Sequence, residues 1–408
     1  MHPAATRADR PIPLHTAPAV QAVVAAAFVA IAPLALGICG VGSYAEQVAA
    51  GSRVETEARA VDAYASHVHA EYAASRESAE RMRAAIRAFC GEPGEGTLAR
   101  ARETWIAARE IYGRTEVFRF GNGPIDTTRG GVETFVNAWP VDEEYIEPAD
   151  PAASTGIIRD SKRYPALGGA ILRLHNQRGG ETNVCTGWHP IAFMLWGQDL
   201  SETGPGTRAA SDFLDTSSPH AARRREYLLE ITDMLCEDLV RLEKAWAPDA
   251  DNHRKRFVAE PERSMRSIIT GPSLLVGFEM TGERLAVPLE TRDQEEEHSC
   301  FSDTTHIDFT SNIKGVDAVL RGRGGPGVIE VVRAVDSARA ATLEAALATA
   351  YKAVHEMPVP FDTAIRAADG SAQRVKMQAA LEALETLGEE IARAGRALGW
   401  SLPTEPTG

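Results

Sequence analysis

Apolar residues recur at intervals of three and four positions along much of this chain, which is the spacing of an α-helix. The clearest such stripe consists of Leu228, Ile231, Leu235, Leu239, Leu242 and Trp246. Similar patterns predict further helices over 58–89, 97–112 (capped by Thr97), 165–175, 188–196, 264–289 (interrupted at 271–272), 328–356 and 371–399. No segment alternates apolar and polar residues between hairpin turns, as half-buried strands do. The sequence therefore predicts an all-α fold.

A stretch rich in Gly, Ser and Pro at 201–219 separates these helices into two groups. The chain of 408 residues is long enough for two or three domains. We therefore predict two antiparallel helical-bundle domains that lie side by side with a groove between them. The N-terminal bundle covers 46–210 and includes the helix at 188–196, the C-terminal bundle covers 211–400, and 401–408 form a tail.

Residues 1–45 have the features of an export signal. Arg7 and Arg10 precede an apolar stretch at 17–38, and residues 43–45 fit a cleavage site with small flanking residues. Two alternatives stay open, namely a lipoprotein modified at Cys39 and an uncleaved stretch about long enough to anchor the chain in a membrane. We expect a periplasmic or otherwise exported protein, with an N-terminal membrane anchor as the alternative.

The net charge bears on which partners the chain can bind, and the cysteine content bears on the compartment in which it folds. The formal net charge is −14, whereas nucleic-acid-binding proteins gain affinity from cationic surfaces, so no nucleic-acid partner is expected. Cleavage after residue 45 would leave Cys90, Cys185, Cys236 and Cys300, and no CxxC motif occurs. An even number permits two disulfides in an oxidising compartment, although spacing alone leaves their pairing open.

The helix predicted at 188–196 carries a lone histidine near its start. His189 follows Gly187 and precedes a strongly apolar run that ends at Gly197, so this helix is expected to be mostly buried. A titratable ring in that position needs a partner or a ligand, because an unpaired buried polar group is costly. The alternative is a core histidine that is hydrogen-bonded to a backbone carbonyl.

Side chains that can bind metals are densest between Asp293 and His306. Glu295 and His298 stand three positions apart, as do Asp303 and His306. On a helix, this spacing places a carboxylate and an imidazole on one face, as in carboxylate-bridged metal bundles. Such ligands suit iron, manganese or zinc. The alternative is a solvated helix end with an internally packed histidine.

A second irregular segment covers residues 114–147. It contains too much Gly, Pro and Asn for a helix, and long structured loops of this kind are often functional. Glu116 and Asp142 are its candidate ligands. The chain has no phosphate-binding glycine motif before a helix, no GxSxG and no HExxH.

The run GWHPIAFMLWGQD at 187–199 resembles the signature of the imelysin family, GxHxxE followed by an apolar helix and a WG-x-D end. Residues 112–126, 137–143 and 292–306 resemble further regions of that family, in particular its iron-regulated members of bacterial periplasms or membranes. The resemblance covers roughly residues 58–400. It implies an all-α protein with two bundle-like domains, a site in the groove between them and a link to iron acquisition. The family also carries a historical metallopeptidase label.

The sequence departs from this signature at the glutamate, whose position is Ala192. An HxxE pair shares one helical face, so its ring and carboxylate can hold one cation, whereas Ala192 and the following Phe193 supply no ligand. A zinc peptidase needs about three protein ligands and a general base. The departure therefore favours binding over hydrolysis.

Our leading hypothesis is an exported imelysin-like protein that binds iron or an iron complex in the interdomain groove. Zinc is the second choice of metal, and a membrane iron-transport component is an expected partner. The alternatives are a metal-dependent endopeptidase and a surface partner-binding protein without metal. The predicted ligand-binding residues are Gly187, His189, Glu116, Asp142 and Asp199, and the predicted metal ligands are His189, Glu295, His298, Asp303 and His306.

Two geometric expectations follow from this hypothesis. His189 should lie within about 10 Å of His298 or His306, because shared coordination requires them to be close. Cys185 and Cys300 should lie near each other, since both flank the proposed site.

Overall fold

The computed structural model describes residues 44–127 and 131–406, and this part of the chain is helical with no strand. The first half contains α1 (Tyr44–Gly91), α2 (Glu95–Gly113), α3 (Glu133–Val136), α4 (Glu143–Ile146), α5 (Gly156–Arg159), α6 (Gly169–His175) and α7 (Trp188–Trp196). The second half contains α8 (Ala221–Trp246), α9 (His253–Ala259), α10 (Pro261–Leu274), α11 (Val287–Thr291), α12 (Thr305–Arg321), α13 (Val328–Arg333), α14 (Ser337–His355), α15 (Phe361–Ile365) and α16 (Ala372–Ala397). The all-α prediction is confirmed.

Short 3₁₀ turns and one π-helix join these elements. The 3₁₀ turns are Glu116–Phe118, Ala210–Phe213, Gln294–Glu296 and Cys300–Ser302, and Leu275–Ala286 is a π-helix that joins α10 to α11. π-helical hydrogen bonding is rare in proteins. Where it occurs, it is often found at functional sites.

Helix α7 lies in the middle of the core. Every residue of α7 is buried, and the helix packs against α2, α8 and the Cys300–Ser302 turn. A helix that is apolar on all sides is stable only when neighbours surround it, which is the arrangement found here.

The helical segment from Pro261 to Thr291 forms a second packing centre. Its π-helical part lies against α16, where an added Cβ on Gly388 would be 3.1 Å from the Cα of Gly277. Helix α16 also packs along α14, and α12 packs against both α14 and α2. Helix α12 thereby links the two packing centres and brings its first turns toward α7.

Several predicted helix boundaries are wrong for identifiable reasons. Thr97 is not the N-cap residue of α2, which is Gly94; it lies three positions further on, and its hydroxyl accepts a hydrogen bond from Gly94 N at 3.1 Å, as in a capping box. Helix α8 follows the predicted 201–219 stretch as expected and begins at Ala221. The segment 328–356 is two helices, because Asp336 caps a new one at Ser337.

Two other helices also differ from their predicted bounds. The helix expected over 165–175 begins only at Gly169. Pro272 does not interrupt its helix, and the chain instead passes from α-helical to π-helical hydrogen bonding at Leu275.

The helical spacing assumed for the 293–306 segment is also wrong. The turn at Gln294–Glu296 ends before His298, so Glu295 and His298 do not share a helix face. Asp303 adopts left-handed backbone angles (φ 54°) before α12 begins, so Asp303 and His306 do not share one either. The segment contains no Gly or Pro that would have indicated these breaks.

The four cysteines of the described residues are buried free thiols. A disulfide between Cys185 and Cys300 is therefore absent from this structure. Burial raises the pKa of the Cys185 and Cys300 thiols, which keeps both protonated.

Some sequence predictions are not tested by the fold. The export signal at 1–45, its cleavage site and the lipid-attachment alternative at Cys39 lie outside the described residues, apart from the start of α1. None of the described helices combines the length and the hydropathy that a membrane span needs. Contacts group Ala45–Gly408 into one compact unit, and the division into bundles at residue 210 stays a prediction.

Candidate functional site

Gly187 sets the position of His189 at the start of α7. Its backbone has φ 98°, a region that L-residues rarely adopt, and an added Cβ would overlap the carbonyl oxygen of Val136. The chain can therefore turn tightly here and begin α7 at Trp188. Gly187, which was predicted to bind a ligand, acts in this structure through its backbone.

His189 is a buried imidazole without a hydrogen bond. It is 1% exposed, and neither of its ring nitrogens has a partner among the described residues. Its ring centroid is 4.8 Å from that of His298 and 4.9 Å from that of Trp139. Burial, aided by His298 and Arg109, holds the pKa of His189 well below its ordinary value, so the ring is neutral. The expected closeness of His189 and His298 is found.

His298 is oriented by a carboxylate. Its Nδ1 is 2.9 Å from Oδ2 of Asp308, which also accepts a 2.5 Å hydrogen bond from the Ser299 hydroxyl. Burial, with Arg284 and Arg109 nearby, holds the pKa of His298 well below its ordinary value. The neutral ring therefore donates its Nδ1 proton to Asp308 and keeps an unprotonated Nε2.

Buried arginines form a network around His298 and Asp308. Arg109 on α2 is 1% exposed, and its Nε donates to Asp308 Oδ1 at 3.0 Å. The same guanidinium contacts Asn137 Oδ1 and lies 3.5 Å from both Glu116 Oε1 and His298 Nδ1. Buried charges are stable only when paired, so Arg109 fixes the relative positions of four segments of the chain.

Glu116 belongs to the same network. Arg284 donates to Glu116 Oε2 at 2.7 Å and to Glu279 Oε2 at 2.5 Å. Burial alone would raise the pKa of the Glu116 carboxyl, but Arg284 and Arg109 outweigh burial and hold the pKa below its ordinary value. Glu116, predicted as a ligand, is thus a paired carboxylate that holds arginines.

The π-helix explains how Glu279 and Arg284 meet. They are five positions apart, which in an α-helix would place them about 140° apart around the axis. In the π-helix Leu275–Ala286, hydrogen bonds join residues five apart, and both side chains reach the same side. Arg119 adds a further pair there, with Nη2 3.3 Å from Glu133 and 3.3 Å from Glu279.

A cavity of about 430 Å³ opens beside these residues. Its wall includes His298, Trp139 and Asn137. The amide Nδ2 of Asn137 is buried and has no hydrogen-bond partner within the described part of the chain. The remaining lining residues are Arg119, Glu133, Ala138, Pro140, Gln177, Phe278, Glu279, Glu283, Arg284, Val287 and Glu296. Its volume is within the range of small-molecule sites.

A separate cluster of carboxyl groups lies past the end of α7. It consists of Asp199, Glu297, Asp303 and Asp362, each with at least one buried oxygen that lacks a hydrogen bond among the described residues. Burial, reinforced by Asp303 and Asp362, raises the pKa of Glu297 to about 9. Burial and the charges of Asp362 and Asp199 raise the pKa of Asp303 to about 7, and burial raises that of Asp199 to about 6. At least Glu297 is therefore protonated at neutral pH.

Asp142, Glu295 and His306 make no hydrogen bond or ring contact with His189 or His298 among the described residues. Asp142 caps α4 by accepting a hydrogen bond from Glu144 N at 3.0 Å. Glu295 is exposed on its 3₁₀ turn. His306 is half-buried in the first turn of α12, and its Nδ1 has no hydrogen-bond partner in 44–127 or 131–406. Across residues 44–127 and 131–406, no three His, Cys, Asp or Glu side chains are placed to hold a metal ion. The five predicted metal ligands therefore do not form one coordination site in this structure.

Sequence reasoning missed the residues that orient His298. Asp308 stands ten positions after it, and Arg109 occupies an inward-facing position of α2 between Trp105 and Tyr112. A charged residue within an apolar stripe is the signal that could have identified Arg109. Trp139 lies within the irregular segment 114–147.

Comparisons with known proteins agree with this architecture. A family model described as Imelysin matches residues 68–387. Iron-regulated protein A of Synechococcus elongatus is 23% identical over 336 residues, which cover 78% of this chain and 81% of that protein. A crystal structure named as an iron-regulated protein A precursor from Parabacteroides distasonis superposes with a TM-score of 0.64 at 15% identity, covering 84% of this chain and 95% of that one. At that identity, the structural match supports the fold alone.

Proposed function

Because this chain belongs to the imelysin family, we propose that it binds iron as a complex in the 430 Å³ cavity beside His298. The complex brings most of its own ligands, and the protein adds an imidazole. This role would contribute to iron acquisition. The names of its relatives, which refer to iron regulation, are consistent with an iron-related role.

The arrangement of His298 and Asp308 carries this proposal. Metal-binding histidines usually donate their second ring N–H to a carboxylate, which fixes the tautomer and makes the other nitrogen a better ligand. The 2.9 Å contact between Nδ1 and Asp308 has that form. It leaves Nε2 as the free nitrogen of a residue that lines the cavity.

The ligand supply favours a complex over a bare ion. His298 and the adjacent His189 are the imidazoles near the cavity, and the nearby Glu116, Glu133 and Glu279 are engaged with arginines. Iron prefers more donors than two imidazoles provide, so the remaining positions need ligands from the bound molecule. The cavity is large enough to admit such a molecule.

Two carboxylates that line the cavity are not engaged with arginines in the described part of the chain and can contact an incoming iron complex. Glu283 is exposed and Glu296 half-buried at the lining of the cavity, and neither forms an ion pair among the described residues. They are placed to contact a cation or its chelator. We further propose that the protein works outside the cytoplasm, cleaved or anchored through residues 1–45, and passes iron to a membrane iron-transport component.

The endopeptidase alternative predicts a different observation. Hydrolysis would need a third protein ligand and a general base near the metal. Position 192, where the family signature has glutamate, is a buried alanine. Peptide cleavage that a chelator abolishes and zinc restores would favour the enzyme over our proposal.

Titration with ferric citrate tests the proposed site. We expect the purified mature protein to bind iron, and His298→Ala to weaken binding by about tenfold or more, because the protein's ligand is lost. His355→Ala is the matched control, since His355 is exposed at the end of α14 and its ring lies on Tyr351. Equal binding by the unaltered protein and a His189→Ala/His298→Ala double variant would overturn the proposal.

A further inference from the structure

A second cavity, of about 540 Å³, lies away from the histidine pair. It is bounded by the loop Phe120–Asn122, by α9, by the first turns of α10 and by Pro403 in the C-terminal tail. None of its lining residues belongs to the cavity beside His298.

Its wall is cationic although the whole chain is acidic. Arg256, Arg263 and Arg266 line it, with Glu260 as the one lining carboxylate. Glu260 pairs with Arg263 at 3.1 Å. Among the described residues, neither Arg256 nor Arg266 pairs with a carboxylate, and Arg266 makes a single 3.4 Å contact to the carbonyl oxygen of Ser401. Two guanidinium groups therefore remain available to an anion.

The cavity also has an aromatic side. Phe257 lies in its wall and packs on Tyr64 with centroids 5.7 Å apart, and on Trp246 at 5.0 Å. His253 contacts the same Trp246 ring at 4.7 Å, and its Nε2 is buried with no hydrogen-bond partner among the described residues. The aromatic packing behind Phe257 holds that ring in place at the wall.

The opposite wall has an unusual backbone. Phe120 (φ 68°) and Asn122 (φ 54°) both adopt left-handed angles, which non-glycine residues rarely do. Between them, Gly121 packs closely on α10, where an added Cβ would lie 3.4 Å from Cβ of Ser267. Such conformations persist where the surrounding structure enforces them, and they are common at ligand sites.

We propose that this cavity binds an organic anion that combines a phosphate or carboxylate group with a planar apolar body. The guanidinium groups of Arg256 and Arg266 contact the anionic group, since arginine matches the two-oxygen geometry of both groups. The planar body packs against Phe257. The volume is that of a small-molecule site. This proposal is independent of the iron-binding proposal, because it concerns different residues and a metal-free ligand.

Calorimetric titration with phenyl phosphate and inorganic phosphate, in metal-free buffer, tests both parts of the proposal. We expect the unaltered protein to bind phenyl phosphate more tightly than inorganic phosphate, because only the former has a ring for Phe257. Benzoate provides the carboxylate arm of the experiment. Affinity should fall as salt concentration rises, because the contact is electrostatic.

An Arg256→Ala/Arg266→Ala double variant should bind phenyl phosphate about tenfold more weakly or worse, since each hydrogen bond to a charged group is lost. Both arginines are exposed, so the variant should fold normally. Arg81→Ala is the matched control, because Arg81 is exposed on α1 and lines neither cavity. An Arg256→Lys variant should bind with intermediate affinity, because it keeps the charge and loses the planar fork.

Two results would overturn the proposal. One is the absence of measurable binding of all three probes at millimolar concentration. The other is equal affinity of the double variant and the unaltered protein for phenyl phosphate. A preference for inorganic phosphate over phenyl phosphate would remove the planar body from the proposed ligand.

Discussion

The rings of His189 and His298 lie with centroids 4.8 Å apart and planes inclined by 70°. They come from helix α7 and from the segment before α12, which are separated by more than a hundred positions in the sequence. Their surroundings differ, because His298 has a carboxylate partner in Asp308 and His189 has none among the described residues. One ring is therefore held in a fixed orientation by a carboxylate, and the other is held by packing alone.

Asp308→Asn should weaken ferric-citrate binding by about 10- to 100-fold. Arg109 Nε only donates and should hold the amide oxygen, so the amide NH2 faces His298 Nδ1 in place of the acceptor that orients the ring. The Asp308 carboxylate is within hydrogen-bonding distance of His298 Nδ1, at 2.9 Å. Nitrogen NMR shifts of His298 should report loss of the tautomer protonated at Nδ1, a change that altered stability alone would not cause. An unchanged tautomer together with unchanged affinity would show that Asp308 does not position the ring.

Ala192→Glu restores the carboxylate of the family signature one turn after His189. Ala192 is 2% exposed, so burying a charged side chain there should lower the free energy of unfolding of the metal-free protein by roughly 1–3 kcal/mol. A cation held between the introduced carboxylate and His189 should recover part of this loss. Thermal unfolding with and without ferric iron measures the effect. Ala192→Gln is the control of equal size, and an equal iron-induced shift in both variants would contradict the prediction.

The unaltered protein should lose stability as the pH becomes alkaline, and Glu297→Gln should remove this loss. The pKa of Glu297 is raised from 4.5 to about 9 in the folded protein by burial and by Asp303 and Asp362. The folded state thus binds a proton that the unfolded state releases above about pH 4.5, and stability falls as the pH rises through this range. At pH 9 the variant should be more stable than the unaltered protein, on the order of 1–3 kcal/mol, and the two should converge near pH 5.

Urea unfolding at pH 5 and pH 9 measures this difference. Glu385→Gln is the matched control, since Glu385 is exposed on α16. It should follow the pH dependence of the unaltered protein. Parallel pH dependence of both variants would show that the Glu297 carboxyl does not hold a proton in the folded state.

Gly187→Ala should destabilise the protein by about 3 kcal/mol or more. The alanine would be strained by the positive φ, and its Cβ would also overlap the carbonyl oxygen of Val136. The start of α7 would shift, so iron binding should weaken as well. Gly96→Ala is the control, since an added Cβ at this helical position meets nothing within 4 Å. The stability of the control variant should rise by about 0.5–1 kcal/mol. Similar thermal unfolding of both variants would contradict the conformational role of Gly187.

Apolar periodicity was sufficient to predict the helical class and the approximate positions of α7, α8 and α16. It failed where polar groups replaced the expected signal. Asp336 caps α14 and divides one predicted helix into two, and buried Arg109 pairs with Asp308 at an inward-facing position of α2. These features depend on hydrogen bonds rather than on hydrophobicity.

The site was predictable only in part. A histidine in a recognisable signature and a second one in an acidic segment indicated His189 and His298. Arg109 and Asp308 stand 199 positions apart, and their contact depends on how α2 packs against α12. Spacing within one segment carries no information on such a pair, and the assumed helical spacing from Glu295 to His298 gave wrong partners for the same reason.

Anomalous diffraction at the iron edge, from crystals of the protein soaked in ferric citrate, would locate bound iron relative to His298. We expect one dominant anomalous peak in the cavity beside His298, at coordination distance from its Nε2 and absent from crystals of His298→Ala. A dominant peak at the carboxyl cluster of Asp199, Glu297, Asp303 and Asp362, or no peak in the cavity of a soaked crystal, would contradict it.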